Sequence, residues 1–501
     1  MSCPLRSCSR LSLEEVILPR ASRSMLCSSA ERKQRKCTPI SWSGCYCLCS
    51  VYLQVPPPSP ADWAVVQRYS HRVKELKFFP LDKVSSCFLR AISSQPFLLF
   101  PNLKVLFWRS TTQLDCPTSL PITFLQCLLG PSLVSLNIFA REIDNAAFQP
   151  LLTNLLRSGV KSLSIAITAS QQASIGSLSF PFPLSDYLEC LLLHSSVDDV
   201  ALRHIIMSPT LKELRLVLNP DQSRLHQVRL PSDITPFYNV KKMFLEVWDL
   251  QFVTSLMRNE GQIFHSLSLR SHSRPTIPEF PAFLTALGSR QRIYSLQSIT
   301  LQSRYRESDL SQTATPAPLY DMLRPLTCLS HLRQLSIHLH DCLPINDDEL
   351  ISLARHWPHL CNLMLSASPA LHEHPWELGK YITLKGLGSL VECCPQLQLL
   401  YLPLDAREVP ADIPQRSTVV PPSVIILFSD SPINNPQLVA NFLTRMFPSL
   451  LTVACAFESP RGDDEEILLY RTAWHRVETR LGELRSQHTG LVTGTSFFSD
   501  V

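Results

Sequence analysis

One short phrase recurs along this chain and constrains its fold more than any other feature. It is an apolar residue, two variable ones, an apolar residue, one variable, and an apolar residue. It reads Leu103-Lys-Val-Leu106-Phe-Trp108, Leu133-Val-Ser-Leu136-Asn-Ile138 and Val160-Lys-Ser-Leu163-Ser-Ile165. It returns as Leu188/Leu191/Leu193, Leu211/Leu214/Leu216, Val240/Met243/Leu245 and Phe264/Leu267/Leu269. Further copies are Leu296/Ile299/Leu301, Leu332/Leu335/Ile337, Leu360/Leu363/Leu365 and Leu397/Leu400/Leu402. Val73/Leu76/Phe78 is a degenerate first copy, and a last one falls within 424–428. The steps between Leu76 and Leu400 average about 29 residues, the period of a strand-plus-helix repeat.

The last two apolar positions of each phrase are two apart, so on a strand they share one face, and the residues beside them face the other way. One such strand per repeat, stacked in parallel, makes a curved sheet with a shared apolar interior. Helical patterns follow the strands. Asn145-Ala-Ala-Phe-Gln-Pro-Leu-Leu-Thr-Asn-Leu-Leu-Arg-Ser-Gly159 ends on a glycine suited to a helix C-terminus. Asn346 precedes Asp347, Asp348 and Glu349, an N-cap with an acidic first turn. Leu250, Phe252, Val253, Leu256 and Met257 stand at helical spacing before Gly261. The chain therefore resembles the leucine-rich-repeat class. The expected fold is an α/β solenoid with parallel strands on the concave face, helices on the convex face and helical caps. The position five after the middle leucine, often Asn or Cys in that class, is Asn219 once. Elsewhere it is Thr111, Arg141, Ser196, Trp248, His272, His340 or Asp405, which predicts an irregular solenoid without a continuous asparagine ladder.

The ends differ from the middle. Residues 1–60 are rich in Ser, Cys and Arg, carry Arg32-Lys-Gln-Arg-Lys36 and finish in Pro56-Pro-Pro-Ser-Pro60. They read as a disordered or diverged segment with a proline-rich linker. Asp62-Trp63 opens a helix to Tyr69 that caps the solenoid of 61–428. In 429–485, Pro436 starts a helix with Leu438, Val439, Phe442, Leu443, Met446 and Phe447 on one face. A second helix carries Ile467, Tyr470, Trp474, Val477 and Leu481 behind Asp463, Asp464, Glu465 and Glu466. These two helices make a C-terminal helical cap, and 486–501 form a tail.

Several segments in this order resemble the fungal, basidiomycete-type F-box proteins with irregular leucine-rich repeats. They are Asp62-Trp63, Tyr69-Ser-His-Arg72-Val73-Lys-Glu-Leu76, and the strand phrases preceded by proline at Pro101, Pro131 and Pro209. After them come Asp430-Ser-Pro-Ile433, Val439-Ala-Asn-Phe-Leu443, Phe447-Pro448 and Trp474-His-Arg-Val-Glu478. The resemblance covers roughly residues 60 to 485. It implies a substrate-receptor subunit of a cullin–RING ubiquitin ligase, whose F-box docks on the ligase adaptor. The F-box itself is not intact: Leu11-Ser-Leu-Glu-Glu-Val-Ile17 is similar to its start, and 18–53 lack its apolar periodicity. The alternative is a leucine-rich-repeat scaffold with no ubiquitin-ligase link.

Composition removes other classes. Thirteen glycines in 501 residues leave little room for phosphate-binding loops, and neither GxGxxG nor GxxxxGK[ST] occurs. GxSxG and HExxH are also absent. The chain reads as a non-enzyme that needs no cofactor. A net charge of +4 disfavours a chain-wide nucleic-acid binder. The most apolar run, 97–108, is broken by Pro101, Asn102 and Lys104, so no membrane span is expected. Seven of the 17 cysteines fall in the first 50 residues and the rest lie in apolar stretches, as reduced thiols of a cytoplasmic protein. Arg32-Lys-Gln-Arg-Lys36 reads as a solvated charge run, with a nuclear import signal as its alternative. Cys45-Tyr-Cys-Leu-Cys49 lacks the partner pair a zinc site needs. His338-Leu-His340 and His372-Glu-His374 read as exposed solenoid positions, Cys393-Cys394 as core, and Arg461-Gly-Asp463 as a turn.

What remains is the outward side of the strands, expected to bind a target protein whose identity the residues leave open. Its candidate contacts are Phe107, Arg109, Phe139, Glu213, Arg215, Lys242, Phe244, Glu246, Arg270, Gln334, His338 and Tyr401. Aromatics beside mixed charges on a rigid surface are what protein interfaces use.

Overall fold

A computed structural model describes residues 10–12, 60–78, 98–110, 119–140, 145–167, 184–195, 197–218, 237–248, 250–258, 264–272, 279–289, 295–303, 317–339, 342–343, 345–367, 381–411, 424–429, 431–447, 450–455 and 465–489. Its contacts divide into two compact units, one ending at Val217 and the other starting at Leu218.

In the first unit the strands are β1 (Arg10–Ser12), β2 (Glu75–Phe78), β3 (Val105–Ser110), β4 (Ser135–Ala140), β5 (Ser162–Ile167), β6 (Cys190–Leu193) and β7 (Glu213–Val217). Each pairs in parallel with the next in chain order. Register follows the phrase: Leu76, Leu106, Leu136, Leu163, Leu191 and Leu214 align across the sheet and are each at most 1% exposed. The third apolar position makes a second buried row, Phe78, Trp108, Ile138, Ile165, Leu193 and Leu216. Full burial of one such side chain contributes about 1.5–3 kcal/mol, so the stacked rows dominate the stability of the sheet. The helices are α1 (Pro60–Ser70), α2 (Ser119–Leu128), α3 (Asn145–Arg157) and α4 (Asp199–Ile206). Phe148, Leu151, Leu152 and Leu155 of α3 are buried, and Gly159 follows at φ 76°, the left-handed turn that favours glycine.

The second unit repeats the plan with β8 (Lys242–Val247), β9 (Ser266–Ser271), β10 (Ser298–Ser303), β12 (Gln334–Leu339), β14 (Asn362–Ala367), β16 (Leu399–Asp405), β17 (Val424–Ser429) and β18 (Leu450–Cys455), parallel and neighbours in that order. Short pieces β11 (Ala317–Pro318) and β13 (Cys342–Leu343) pair apart from it, and β15 (Ile382–Thr383) pairs with β16. Its helices are α5 (Leu250–Arg258), α6 (Glu279–Gly288), α7 (Leu319–Leu323), α8 (Asp347–Ala354), α9 (Leu384–Cys393), α10 (Pro436–Met446) and α11 (Glu465–Thr489). Asn346 caps α8 in a full capping box with Glu349. Asn435 caps α10, with Pro436 in its first turn.

Both units are thus parallel α/β solenoids of the leucine-rich-repeat type. Neighbouring repeats share a second bonding row just before the strands. The carbonyl of Lys74 accepts the amides of both Lys104 and Val105, and the motif recurs at Lys104, Val134, Lys161 and Glu189. It recurs again in the second unit at Lys241, His265, Gln297, Arg333 and Cys361. These bonds satisfy the backbone groups at the strand starts.

Three differences from the sequence reading have local causes. Strand β18 follows α10, so the strand–helix alternation continues into the stretch read as purely helical; its Val453 is buried beside Ile426 of β17. Helix α11 runs to Thr489, past residue 485. Strand β1 lies within the segment read as disordered, paired with β2. The rest of 1–59, including Arg32-Lys-Gln-Arg-Lys36 and Cys45-Tyr-Cys-Leu-Cys49, lies outside the described residues, as do His340, His372-Glu-His374 and Arg461-Gly-Asp463.

Candidate functional site

Alternate residues of each strand point away from the buried rows, and the expected contact residues stand on them. Arg109 and Phe139 are exposed in the first unit, where Phe107, Glu213 and Arg215 are half-buried. In the second, Lys242 and Gln334 are exposed and Phe244, Glu246, Arg270 and His338 half-buried. Tyr401 departs from the expectation. It is 3% exposed, with Leu400 and Leu402 buried on either side of it. The His338 ring, on the side expected to be open, lies 6.4 Å away centroid to centroid. Strand alternation predicts direction but not cover, so Tyr401 offers no contact surface in this conformation.

In the first unit, register creates two cation–ring pairs. Lys77 is the register partner of Phe107, and its Nζ lies 5.3 Å from that ring's centroid. Arg109 is the register partner of Phe139, and its guanidinium carbon lies 5.0 Å from that ring. Such pairs contribute about 0.5–1 kcal/mol at exposed sites. Lys77 was missed by sequence reasoning, because only the parallel register brings it beside Phe107.

In the second unit the same side carries a bonded polar cluster. Arg270 Nε donates to Gln302 Oε1 at 2.9 Å, and its Nη1 lies 3.5 Å from Glu246 Oε2. Glu246 Oε1 also meets His272 Nε2 at 2.5 Å, and the His272 ring stacks on Trp248 at 4.4 Å between centroids. The Arg270 guanidinium lies 5.4 Å from the Phe244 ring. Trp248 and His272 occupy the position five after the middle apolar residue, where an asparagine ladder would run. Here a ring stack replaces it. His338 Nε2 lies 2.8 Å from Ser336 Oγ, and Ser298 Oγ donates to Gln334 Oε1.

The ionisable groups bear on catalysis. Burial raises the pKa of Cys127, Cys328 and Cys393. It pushes Cys394 up to about 12, with the neighbouring thiols adding to the effect. An activated cysteine needs the opposite, a thiol held low by positive neighbours. Burial, then the charge of Asp405, raises Tyr381. Burial also pushes Asp405 up, but hydrogen bonds and charge from Arg407 outweigh it and leave that carboxyl below its ordinary range. Arg407 Nη2 sits 2.6 Å from Asp405 Oδ2. Among the described residues no group of three His, Cys, Asp or Glu could hold a metal ion, and no helix is long and apolar enough to cross a membrane.

No family model matches the chain, and no curated protein matches it. Among solved structures 24 chains match. One belongs to a crystal structure of a Rad7 and Elc1 complex in yeast. It is 12% identical over 78% of this chain and 79% of that one, with a TM-score of 0.38. Likeness of that degree carries neither a partner nor an activity to this chain.

Proposed function

We propose that this chain is a non-catalytic protein-recognition module that binds a target protein on its strand faces. By the segments that resemble F-box leucine-rich-repeat proteins, we further propose that it serves as the substrate receptor of a cullin–RING ubiquitin ligase in the cytoplasm, with the nucleus as alternative. It would act by proximity, holding its target near catalytic subunits that belong to other chains. The solenoid of 61–428 would supply the surface and 429–485 its cap. The observation that carries the reading is the paired aromatics and cations on the strand side, Phe107 and Phe139 with Lys77 and Arg109. Aromatic side chains on a rigid sheet bury much area for little conformational freedom lost, which is why interfaces concentrate them. The second reading, a scaffold without a ligase link, is favoured by the lack of F-box periodicity in 18–53.

The test uses the full chain with a photo-crosslinking amino acid at Phe139, and in a separate variant at Met207, exposed just after α4. Crosslinking of one target from the strand position and not from the helix position is expected. Crosslinking only from Met207 would refute the strand-face reading. Failure of the intact chain to co-purify with the ligase adaptor would remove the ligase role and leave the scaffold.

A further inference from the structure

The two units differ in the charge their strand faces leave uncompensated, and the difference points to the partner. Two of the outward rows run along the middle and end of each strand: the one between the last two apolar positions, and the one just after them. From β2 to β7 these rows carry Lys77, Arg109, Arg215 and His194 and not one Asp or Glu. Glu75 and Glu213 share that side but stand one row earlier, at the strand starts. In the second unit the corresponding charges, Glu246 and Arg270, bond to each other and to Gln302 and His272. That cluster is already satisfied. In the first unit Lys77 and Arg109 are exposed, and among the described residues neither has a carboxylate partner; each is held over an aromatic ring instead. A cation held by a ring keeps its full charge and stays available to an incoming anion.

Resting on the strand-face reading above, we propose that the first unit's strand face binds an extended acidic segment of a partner protein, with carboxylates at alternate positions. Geometry supports the spacing. Lys77 and Arg109 are one strand and two residues apart, a diagonal of about 8 Å from strand dimensions. Alternate side chains of an extended peptide repeat at about 6.5–7 Å, so two carboxylates reach both cations. A nucleic acid is the less favoured anion. Phosphate-backbone binders neutralise many phosphates with a continuous basic surface, whereas this chain has a net charge of +4 and a pI near 8.3.

The probe is a fluorescent peptide of alternating glutamate and tyrosine, titrated into the full chain by anisotropy, against its lysine–tyrosine counterpart. The acidic peptide binds and the basic one does not. Lys77→Glu and Arg109→Glu each weaken binding by about tenfold, as expected for reversing a charge that faces a carboxylate. Lys385→Glu, an exposed helix position with the same change in net charge, leaves binding unchanged. Lys77 and Arg109 are solvent-facing and each variant loses only a cation–ring pair worth about 0.5–1 kcal/mol, so both keep a cooperative circular dichroism melt close to that of wild type. Equal binding of both peptides, or equal weakening by Lys385→Glu, overturns the proposal. So does oligothymidylate binding more tightly than the acidic peptide with the same dependence on Lys77 and Arg109, which assigns the face to nucleic acid. If the Phe139 crosslink captures a target while the acidic peptide is ignored, only the acidic specificity falls. If the crosslink also fails, the strand-face reading falls with it.

Discussion

Helices α8 and α9 of the second unit are joined at their N-termini by one carboxylate, and a single methyl group at Gly386 should break the joint. Asp347, in the first turn of α8, accepts the amide of Thr383 at 2.8 Å and its hydroxyl at 2.6 Å. Thr383 in turn caps α9, its oxygen accepting the amide of Gly386 at 3.2 Å. A Cβ on Gly386 would overlap Asp347 Oδ1 and Cγ and stand 2.9 Å from Oδ2. Gly386→Ala must therefore displace the carboxylate. Two hydrogen bonds to a charged acceptor are worth about 1.5–3 kcal/mol each, and a weakened cap adds about 1 kcal/mol. Alanine's better helix propensity returns about 1 kcal/mol, and partial retention of one bond lowers the sum. The expected net loss is about 2–4 kcal/mol. Hydrogen exchange is the suitable assay, because repeat arrays open locally before they unfold globally. Amides of α9 should lose protection in Gly386→Ala while those of β8 and β9 keep theirs. The decisive control is Asp347→Ala. Once the carboxylate is gone, adding Gly386→Ala should be neutral or slightly stabilising. Unchanged α9 protection in the single variant, or a double variant that adds the full loss again, would refute the reasoning.

Two further outcomes follow from the second unit. Trp474 is 2% exposed and its Nε1 donates to Ser431 O at 2.7 Å, while Ser431 Oγ accepts the Leu404 amide at 2.9 Å. Trp474→Ala should cost about 3–5 kcal/mol and Trp474→Phe about 1–3 kcal/mol, read as lowered thermal midpoints and faster exchange at Leu404; a Trp474→Phe variant as stable as wild type would show that the indole bond contributes nothing. Asp405 is held below its ordinary range in the folded chain, so its contribution is present above the unfolded carboxylate pKa of about 3.9 and lost as pH falls through the lower folded value. Asp405→Asn should thus be less stable than wild type near neutrality, by under about 1 kcal/mol because Arg407 is partly solvated, and equally stable at about pH 2. Urea midpoints at both pH values check this, and a difference that persists in acid would sink it.

Much of the fold is legible along the chain because its signals are local. Strand phrases expose alternation within a few residues, and Leu76, Leu106 and Leu136 bury as that alternation requires. Asn346 and Asn435 announce helix starts by a side chain that bonds a few residues on. Strand β18 was hidden because Leu450, Thr452 and Val453 lack the full spacing of the phrase, and pairing with β17 includes a register shift. Tyr401 was misjudged because its cover comes from other segments. The candidate site was half legible: Phe107, Arg109 and Phe139 could be named, but not their partners.

Read alone, the sequence decides that short strands alternate with helices and which side of each strand goes inward. Burial of every second residue is a property of one strand, written in one stretch of chain. Which side chains meet on the outward side is a relation between repeats. Lys77 and Phe107 are separated by a whole repeat, as are His272 and Trp248, and each pair meets because parallel register sets one strand beside the next. The charge balance of each face is decided there too, since a cation over a ring and a cation on a carboxylate look alike in sequence and differ only in what the neighbouring strand supplies.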